Sequence, residues 1–358
     1  ELRETMTFFM EDTMTGRERW LAVLERRTPD RVPMDYWGTE EATSNLCRHL
    51  GCDFEEACRR LHIDVPLTVS GRYIGPPIPE NTDIFGIRRK CVQYGSGVYW
   101  EAENAPLADF SSVDEIEANY AWPKAEWWDY SHLREAIRGH DGRIIRGGGS
   151  EPMLVYKCLR GEEQAFMDLL INPEIVQYAL GKLFELAYQD TLRIFESIPG
   201  AVSITYVAED LGGQDGLMYS PDQIHTFLFP GMKRMMDLTR QHGSHVFTHT
   251  DGAVRAIIPD LIALGMEVLN PIQWPCAGME RGGLKRDFGD KIIFHGAVDN
   301  QHVLPFGTVE EVRDEVIENL GSLGAGGGYI LAPCHNIQPL TPPENIVALY
   351  ETGYEHGW

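Results

Sequence analysis

The 358-residue sequence has no unbroken apolar stretch of the length that a membrane-spanning helix requires, about 20 residues. At its amino end it also lacks a basic region followed by a hydrophobic one, which is the pattern of a secretory signal peptide. The seven cysteines are an odd number and include no CxxC pair, so the sequence predicts neither a disulfide framework nor a zinc ribbon. We therefore expect a cytoplasmic protein without a membrane partner.

Positive charge is scarce as well, since 31 lysines and arginines accompany 54 aspartates and glutamates, for a formal net charge of -23. The acidic residues are spread along the chain rather than gathered in a tail. A surface of this sign repels phosphate backbones and anionic lipids, so we expect no nucleic acid partner. A small-molecule substrate and a protein partner remain open, and the oligomeric state leaves no fixed mark on a sequence.

Short β-rich runs alternate with longer amphipathic stretches, which is typical of a parallel sheet with crossover helices. The β-rich runs are 32–37, 144–148, 202–208, 245–249, 267–270, 292–296 and 329–332. Helices are predicted from Thr15, over 221–241 after the cap Ser220, and over 308–321. The first run lacks the glycine fingerprint of dinucleotide-binding sheets. These features favour a single-domain (β/α)8 TIM barrel over residues 31–358, preceded by an N-terminal helical segment at 1–30.

Polar residues follow several of the β-rich runs directly. They are Glu209 with Asp210, His249 with Asp251, Asn270, Asp299 and His335. A TIM barrel keeps its active site at the carboxyl ends of its strands, so these side chains are expected on one rim. Residues two apart in an extended segment face the same way, so His249 and Asp251 can point together into the mouth and meet His335 there. Two imidazoles and a carboxylate in this arrangement predict a metal site.

The same set of two histidines and one carboxylate also holds iron in non-haem oxygenases. Those enzymes are jelly rolls of many short strands, whereas this chain alternates strands with long helices. The oxygenases that use 2-oxoglutarate also carry an arginine after the distal histidine, and residues 335–358 contain no arginine or lysine. The sequence therefore favours the barrel over the iron oxygenase.

Several segments resemble the uroporphyrinogen decarboxylase superfamily, and together they cover nearly the whole chain. They are Met14-Thr-Gly-Arg-Glu-Arg-Trp with Pro29-Asp-Arg-Val-Pro, the run from Ser220 to Pro230, the run from Phe306 to Val312, and Pro339-Leu-Thr-Pro-Pro-Glu-Asn345. The resemblance implies a single (β/α)8 barrel. It also implies one of two chemistries, which are decarboxylation of porphyrinogens without a cofactor and zinc-dependent methyl exchange with a corrinoid.

The resemblance extends to the residues that would bind the metal. The segment His249-Thr-Asp251 is similar to the His-x-Cys zinc pair of the methyltransferases, with Asp251 in place of the cysteine. His335 falls where the methyltransferases carry a distal zinc cysteine and where the decarboxylases carry an active-site histidine. The decarboxylases' arginine-rich substrate loop has no counterpart in the corresponding region, Met34-Asp-Tyr-Trp-Gly-Thr-Glu-Glu. Without those arginines the carboxylates of uroporphyrinogen lack partners, which disfavours its decarboxylation.

We therefore expect a metal-dependent methyltransferase of the O-demethylase type, with zinc or another divalent metal on His249, Asp251 and His335. The methyl acceptor implied by the resemblance is a corrinoid (cobalamin). The chain has no corrinoid-domain motif of the Asp-x-His-x-x-Gly type, so the corrinoid would arrive on a partner protein or free. Glu209 is expected to be either a fourth ligand or the acid that protonates the leaving oxygen.

The alternative is a metal-free decarboxylase of a smaller acid, centred on His335 and Asp64. The resemblance aligns the decarboxylases' pyrrole-binding aspartate with Asp64, and Asp83 is the other alignment. A non-catalytic, corrinoid-binding barrel is a third interpretation. In either enzyme, further polar residues are expected to contact the substrate. They are Tyr206, Asn270, Gln273, Asp299 and Asn336.

Overall fold

The computed structural model describes residues 12–94 and 97–357. Its strands are β1 Leu67–Val69, β2 Arg72–Tyr73, β3 Arg89–Tyr94, β4 Gly97–Ala102, β5 Trp128–Asp129, β6 Ile145–Ser150, β7 Ile204–Ala208, β8 His245–His249, β9 Val268–Asn270, β10 Ile293–Val298 and β11 Tyr329–Pro333. Seven of them form one parallel sheet in the order β1-β6-β7-β8-β9-β10-β11. The other four make two small antiparallel pairs, β2 with β5 and β3 with β4.

Helices follow most strands of the sheet. They are α1 Gly16–Leu24, α2 Glu40–Leu50, α3 Phe54–Arg60, α4 Val113–Asn119, α5 Leu133–Ala136, α6 Pro152–Arg160, α7 Glu162–Ile171, α8 Pro173–Ser197, α9 Pro221–Gln223, α10 Phe229–Gln241, α11 Ile258–Leu264, α12 Arg281–Phe288, α13 Val303–Phe306, α14 Val309–Ser322 and α15 Pro343–His356. A π-helical turn, Ile224–Leu228, joins α9 to α10. Within the described ranges, no helix combines the length and apolar character needed to cross a membrane.

The parallel sheet curls back toward its own first strand. Met34 forms a parallel bridge with Leu331 of β11, and its carbonyl accepts a hydrogen bond from the N–H of Asp64 at 2.7 Å, three residues ahead of β1. The chain around Met34 therefore lies between the last strand and the first. With helices packed around it, this curled sheet is TIM-barrel-like, in agreement with the predicted fold class.

Six of the seven predicted β-rich runs are strands β6 to β11, with ends within two residues of the prediction. The first run, 32–37, contributes only the bridge at Met34, because no regular ladder forms there. Strand β1, Leu67–Val69, was not predicted, since it is three residues long. The predicted helix 308–321 is α14, and its capping box is formed by Thr308 and Glu311. The predicted helix 221–241 is interrupted by the π-helical turn.

Helix α1 closes the amino end of the barrel. Its Trp20, Val23 and Leu24 pack in one buried cluster with residues at or near the beginnings of the strands. Those residues are Ile144, Ile204, Phe247, Val268, Ile293 and Ile330. The helix begins after Thr15, where the sequence predicts it, and Thr15 forms a capping box with Glu18. Residues 1–11 of the predicted N-terminal segment lie outside the described residues.

The strands that carry the candidate site are buried on both faces. Every residue of β10 and β11 is buried, and so is every residue of β8 except the first, which is half-buried. Strands of a parallel sheet that is covered by helices read as nearly continuous apolar runs, which explains the sequence of Ile293–Val298. A polar group that immediately follows such a strand is therefore held on a rigid support.

Candidate metal centre

Three side chains with metal-binding atoms meet at the carboxyl ends of β8 and β11. His249 ends β8, Asp251 follows two residues later, and His335 comes two residues after the end of β11. One ligand atom from each lies within 4.8 Å of the others, and the ring centroids of the two histidines are 5.8 Å apart. The structure thus brings together the three residues that the sequence suggested as metal ligands.

Asp251 supplies the observation that bears most directly on a metal. Its Oδ1 is buried, has no hydrogen-bond partner among the described residues, and lies 3.8 Å from Nε2 of His249. Burial raises the pKa of Asp251, against the effect of the two histidines, and burial lowers the pKa of His335. A buried polar atom without a partner costs free energy. A divalent cation shared with the two imidazoles would remove that cost, and this donor set suits zinc.

The turn after Asp251 fixes the backbone that carries it. Gly252 has a φ of +83°, and a Cβ there would lie 2.5 Å from the carbonyl of Gly212, so this position requires glycine. The N–H of Gly252 donates to Oε1 of Gln273 at 2.5 Å. Gln273 was predicted as a substrate contact, but its amide oxygen is engaged in this turn. Its role in the structure is to anchor the segment that presents Asp251.

The carboxylate of Asp210 lies beside the three candidate ligands. Sequence reasoning left Asp210 out of the metal site. Its Oδ1 lies 3.7 Å from Nε2 of His249 and accepts a hydrogen bond from the N–H of Asp251 at 3.3 Å. Tyr206, four residues earlier, has its ring 5.5 Å from that of His249 between centroids, so it and Asp210 share the inward face. The alternation that paired His249 with Asp251 would have found this fourth candidate ligand.

Glu209 faces the other way, by the same alternation. Its carboxylate is fully buried and accepts hydrogen bonds from the N–H of Met153 at 3.0 and 3.3 Å, in the first turn of α6. Burial raises the pKa of Glu209 well above the usual range of glutamate, and the hydrogen bond from Met153 opposes this. The carboxylate therefore holds the beginning of a helix. The structure does not place Glu209 as the fourth ligand or the proton donor that the sequence suggested.

Glu151 is a second acidic residue that sequence reasoning missed. It directly follows β6 and lines a cavity inside the barrel mouth. Burial raises the pKa of Glu151 to about 7; His249 lowers it, whereas Asp210 and Asp251 raise it further. A carboxyl group with this pKa can hold or release a proton near neutral pH. The position of Glu151 immediately after a strand could have identified it from the sequence. The glycine run at 147–149 obscured the end of that strand.

The cavity, with a volume of about 750 Å³, has an aromatic wall next to His249. The wall includes Trp37 and Tyr206, whose ring centroids lie 5.8 Å and 5.5 Å from that of His249. Asn336, which follows His335, lines the same cavity. Tyr206 and Asn336 are thus at positions that a role in substrate binding requires. The volume lies within the range of small-molecule sites, about 300–1,000 Å³.

Two other predicted substrate contacts are buried away from the cavity wall. Asn270 is completely buried, and its Oδ1 lies 2.6 Å from Nδ1 of His249, on the side of the ring opposite Asp251. Asp299 is 5% exposed and accepts hydrogen bonds from the N–H groups of Gln301 and His302 at 2.7 and 3.3 Å. Asn270 therefore orients the ring of His249, a candidate metal ligand, and Asp299 stabilises the turn after β10. Neither residue lines the cavity.

Asp64 lies at the amino ends of the strands, away from the candidate metal centre. It precedes β1 by three residues, and its carboxylate is bound by Arg19 at 2.6 Å and by Arg31 at 2.9 Å. Burial raises the pKa of Asp64, and the two arginines oppose that effect. The structure therefore does not bring Asp64 together with His335. The alternative, Asp83, accepts hydrogen bonds from the backbone of its own turn, at Phe85 and Ile87.

Comparison with known proteins identifies a matching family and several relatives. A family model described as uroporphyrinogen decarboxylase (URO-D) matches residues 151–356, more than half of the chain. The chain is 24% identical over 357 residues to a uroporphyrinogen decarboxylase of Pseudoalteromonas translucida, covering 92% of this chain and 94% of that protein. It is 27% identical over 219 residues to the methylcobamide:CoM methyltransferase MtaA of Methanosarcina barkeri, covering 61% of this chain and 59% of that protein.

A solved structure supports the fold. The chain is similar to a methyltransferase from Methanosarcina mazei with a TM-score of 0.68, covering 95% of this chain and 98% of that one. The sequence identity across this match is 20%, so the likeness concerns the architecture.

Proposed function

Because the chain belongs to the uroporphyrinogen decarboxylase family, near its corrinoid methyltransferases, we propose that it is a metal-dependent methyltransferase of the O-demethylase type. It takes the methyl group of a small methoxylated molecule and passes it to a corrinoid, carried by a partner protein or free. The observation that carries the proposal is the convergence of His249, Asp251 and His335 around an Asp251 oxygen without a partner in the described chain.

The donor set favours an oxygen substrate over a thiol. His249, Asp251 and His335 offer two nitrogens and one oxygen, and Cys334 beside them directs its Sγ to the carbonyl of Ile272 at 3.1 Å. Without thiolate ligands, the site is harder than the cysteine-containing site of the family's zinc methyltransferases. Zinc or another divalent metal bound there would supply a Lewis acid for the ether oxygen of a methoxy group.

Loss of the methyl group leaves an oxygen that needs a proton, and Glu151 is the residue placed to provide it. Its carboxyl group is on the cavity wall, and its raised pKa, about 7, keeps a proton available near neutral pH. Trp37 and Tyr206 form an apolar surface beside His249 on which the body of the substrate rests. These contacts orient the methoxy group and exclude water from the reacting oxygen.

Replacing Glu151 with Gln is expected to lower kcat by about 10²–10⁴-fold while leaving the metal content unchanged, because glutamine keeps the shape but has no acidic proton. Steady-state kinetics and elemental analysis of the same preparation measure both quantities. Asp190→Asn is the matched control, since Asp190 is another carboxyl group on the cavity wall, held by the Tyr130 hydroxyl at 2.6 Å. Unchanged turnover in the Glu151 variant would remove the residue from the mechanism.

The function itself is tested by supplying the zinc-loaded protein with cob(I)alamin and a panel of methoxylated compounds. The expected result is methylcobalamin, followed by its absorbance, together with an equal amount of demethylated product. The reverse reaction, from methylcobalamin to a phenol, provides a second measurement of the same step. Failure to form methylcobalamin from any member of the panel would contradict the proposal.

A metal-free decarboxylase of a smaller acid is the second candidate. It is favoured by relatives that match nearly the full length, including the uroporphyrinogen decarboxylases of Pseudoalteromonas translucida and Chromohalobacter salexigens, at 24% and 26% identity. Asp64 is not available to it, because its carboxylate lies at the opposite end of the strands and is bound by Arg19 and Arg31. Release of carbon dioxide by chelator-treated protein would favour this candidate over methyl transfer.

A further inference from the structure

The cavity beside His249 has one positively charged side chain on its wall within the described residues, Arg146 of β6. Its Nε donates to the hydroxyl of Thr68 at 3.1 Å, and its guanidinium carbon lies 5.8 Å from the ring centroid of Trp37. No carboxylate in the described ranges forms an ion pair with it. A guanidinium carries five N–H donors, so most of the hydrogen-bonding capacity of Arg146 is available to a ligand.

Neither of the two carboxyl groups on the same wall forms an ion pair with Arg146. Burial raises the pKa of both Glu151 and Asp190, and Asp190 already accepts a hydrogen bond from the hydroxyl of Tyr130 at 2.6 Å. The chain as a whole is strongly acidic, which makes a cation without an acidic partner inside its cavity informative. An anionic group of a ligand would complete the environment of Arg146.

Trp37 connects Arg146 with the metal centre. Its ring lies nearly parallel to that of His249, at 5.8 Å between centroids and 18° between planes, and it contacts the Arg146 guanidinium as well. We infer that the substrate is a small methoxylated carboxylate, whose carboxylate binds Arg146 while its body lies along Trp37 and its methoxy group reaches His249. Arginine suits this task because its planar fork matches a carboxylate. The inference rests on the proposed function and narrows its substrate class.

The test is a pair of ligands that differ only in charge, 4-methoxybenzoate and 4-methoxybenzamide, titrated calorimetrically into the protein with and without zinc. Wild type is expected to bind the carboxylate at least about tenfold more tightly in both states. Arg146→Gln is expected to abolish that preference, and Arg146→Lys to retain part of it. Arg138→Gln is the control, since the Arg138 side chain is 74% exposed and pairs with Glu135.

Equal binding of the two ligands by wild type, or a preference that survives in Arg146→Gln, would overturn the inference. The wild-type comparison needs no variant and so does not depend on how well a variant folds. Arg146-dependent binding of the carboxylate without any methyl transfer to cob(I)alamin would keep the anion subsite and reject the proposed function.

A second, independent feature is a row of buried polar side chains behind His249. Oδ1 of Asn270 is 2.6 Å from Nδ1 of His249, Nδ2 of Asn270 is 2.7 Å from Nδ1 of His295, and Nε2 of His295 is 3.0 Å from Oδ2 of Asp35. All four residues are buried, and none exposes more than 3% of its surface. Asp35 is fixed in turn by Trp37, whose Nε1–H donates to it at 2.8 Å.

The carboxylate at the far end sets the direction of every hydrogen bond in this row. A carboxylate only accepts, so Nε2 of His295 donates to Asp35, and Nδ1 of His295 accepts from the amide group of Asn270, which only donates. The Asn270 carbonyl then faces His249 and accepts from its Nδ1–H. Nε2 of His249 is therefore left with a free lone pair, on the side where Asp251 lies. The opposite polarity would put a proton on the atom that a metal needs.

The geometry points to Asp35, His295 and Asn270 as positioning residues that hold His249 in its metal-binding tautomer. This role depends on the proposed metal site, and the three residues lie far apart in the sequence. Partners of this kind usually change metal affinity by about 10–100-fold when they are replaced. Asn270→Asp offers a specific rescue, because a carboxylate at that position accepts from both histidines whatever stands at Asp35.

Zinc affinity, measured by chelator competition, is expected to fall about 10–100-fold in Asp35→Asn and to recover in the Asp35→Asn, Asn270→Asp double variant. A loss of packing alone would not be repaired by the second substitution. Wild-type affinity in Asp35→Asn, or no recovery in the double variant, would contradict the inference. In metal-free wild type, nitrogen NMR of labelled histidine is expected to show His249 protonated at Nδ1, and protonation at Nε2 would overturn the inference without any variant. Zinc binding without methyl transfer would reject only the proposed function.

Discussion

A His249→Ala, His335→Ala double variant is expected to retain less than about one-tenth of the zinc bound by wild type and to lose methyl transfer completely. The two substitutions remove both nitrogen donors of a site whose three ligand atoms lie within 4.8 Å of one another. Asp251 and Asp210 alone would offer only carboxylate oxygens, which bind zinc weakly in water. Elemental analysis after dialysis against a buffer of fixed zinc concentration measures the bound metal.

His225→Ala is the control for this experiment, because the His225 ring is 52% exposed and pairs with Asp260 on the surface. It should contain as much zinc as wild type. Zinc retained in full by the double variant would place the metal elsewhere and remove the proposed site. A wild type that binds no zinc at any concentration, together with an unaltered double variant, would instead favour the metal-free decarboxylase.

Asp168→Ala is expected to lower the free energy of unfolding by about 3–5 kcal/mol. Asp168 is completely buried and accepts hydrogen bonds from Arg160, Tyr156, Gln164 and Asn172, at 2.6 to 2.8 Å. Its removal leaves the buried guanidinium of Arg160 without a counter-charge. Urea unfolding followed by circular dichroism measures the difference.

The same pair has a predictable dependence on pH. Burial raises the pKa of Asp168, but the hydrogen bonds from Arg160 and its neighbours outweigh burial and hold the pKa below its usual value. A depressed folded-state pKa means that the stabilisation is present above the unfolded pKa, about 3.9, and is lost as the pH falls through the folded value. The difference in the free energy of unfolding between wild type and Asp168→Ala should therefore become smaller as the pH falls.

Asp237→Ala is the matched control for stability, because Asp237 pairs with Lys233 on the exposed face of α10. Exposed pairs contribute about 0–1 kcal/mol, so this variant should unfold almost as wild type does. The buried ion pair of Arg160 in α6 with Asp168 in α7 is expected to hold these helices together. A decrease of less than about 1 kcal/mol in the free energy of unfolding of Asp168→Ala would contradict this role.

The fold could be predicted because its signals are local. Strands β7 to β11 are short, mostly apolar runs, and β6, which is rich in glycine, begins with an isoleucine. The exceptions are informative. Strand β1 has three residues, too few for a pattern, and the region at Met34 takes its place beside β11 through one bridge rather than a ladder. The β-like sequence around Met34 therefore forms a bridge but not a regular strand.

The positions of strand ends and the alternation of side chains were enough to predict part of the candidate site. His249 and Asp251 were paired by alternation, but the same rule was not applied to β7, where it separates Asp210 from Glu209. Glu151 follows β6 in the same way. The connection of Asn270 through His295 to Asp35 could not be read from the sequence, because it joins side chains from β9, β10 and the segment ahead of α2. Such contacts depend on how the sheet is curled, which no local pattern encodes.

The position of α1 has a consequence for the synthesis of the chain. Trp20 and Leu24 leave the ribosome well before the residues that cover them, which lie as late in the sequence as Ile293 and Ile330. Contacts across such a separation form slowly, and domains fold as they emerge from the ribosome. The first helix must therefore wait with an uncovered tryptophan until almost the whole barrel has been made, and a nascent chain that stalls before β11 leaves an apolar surface for chaperones to bind.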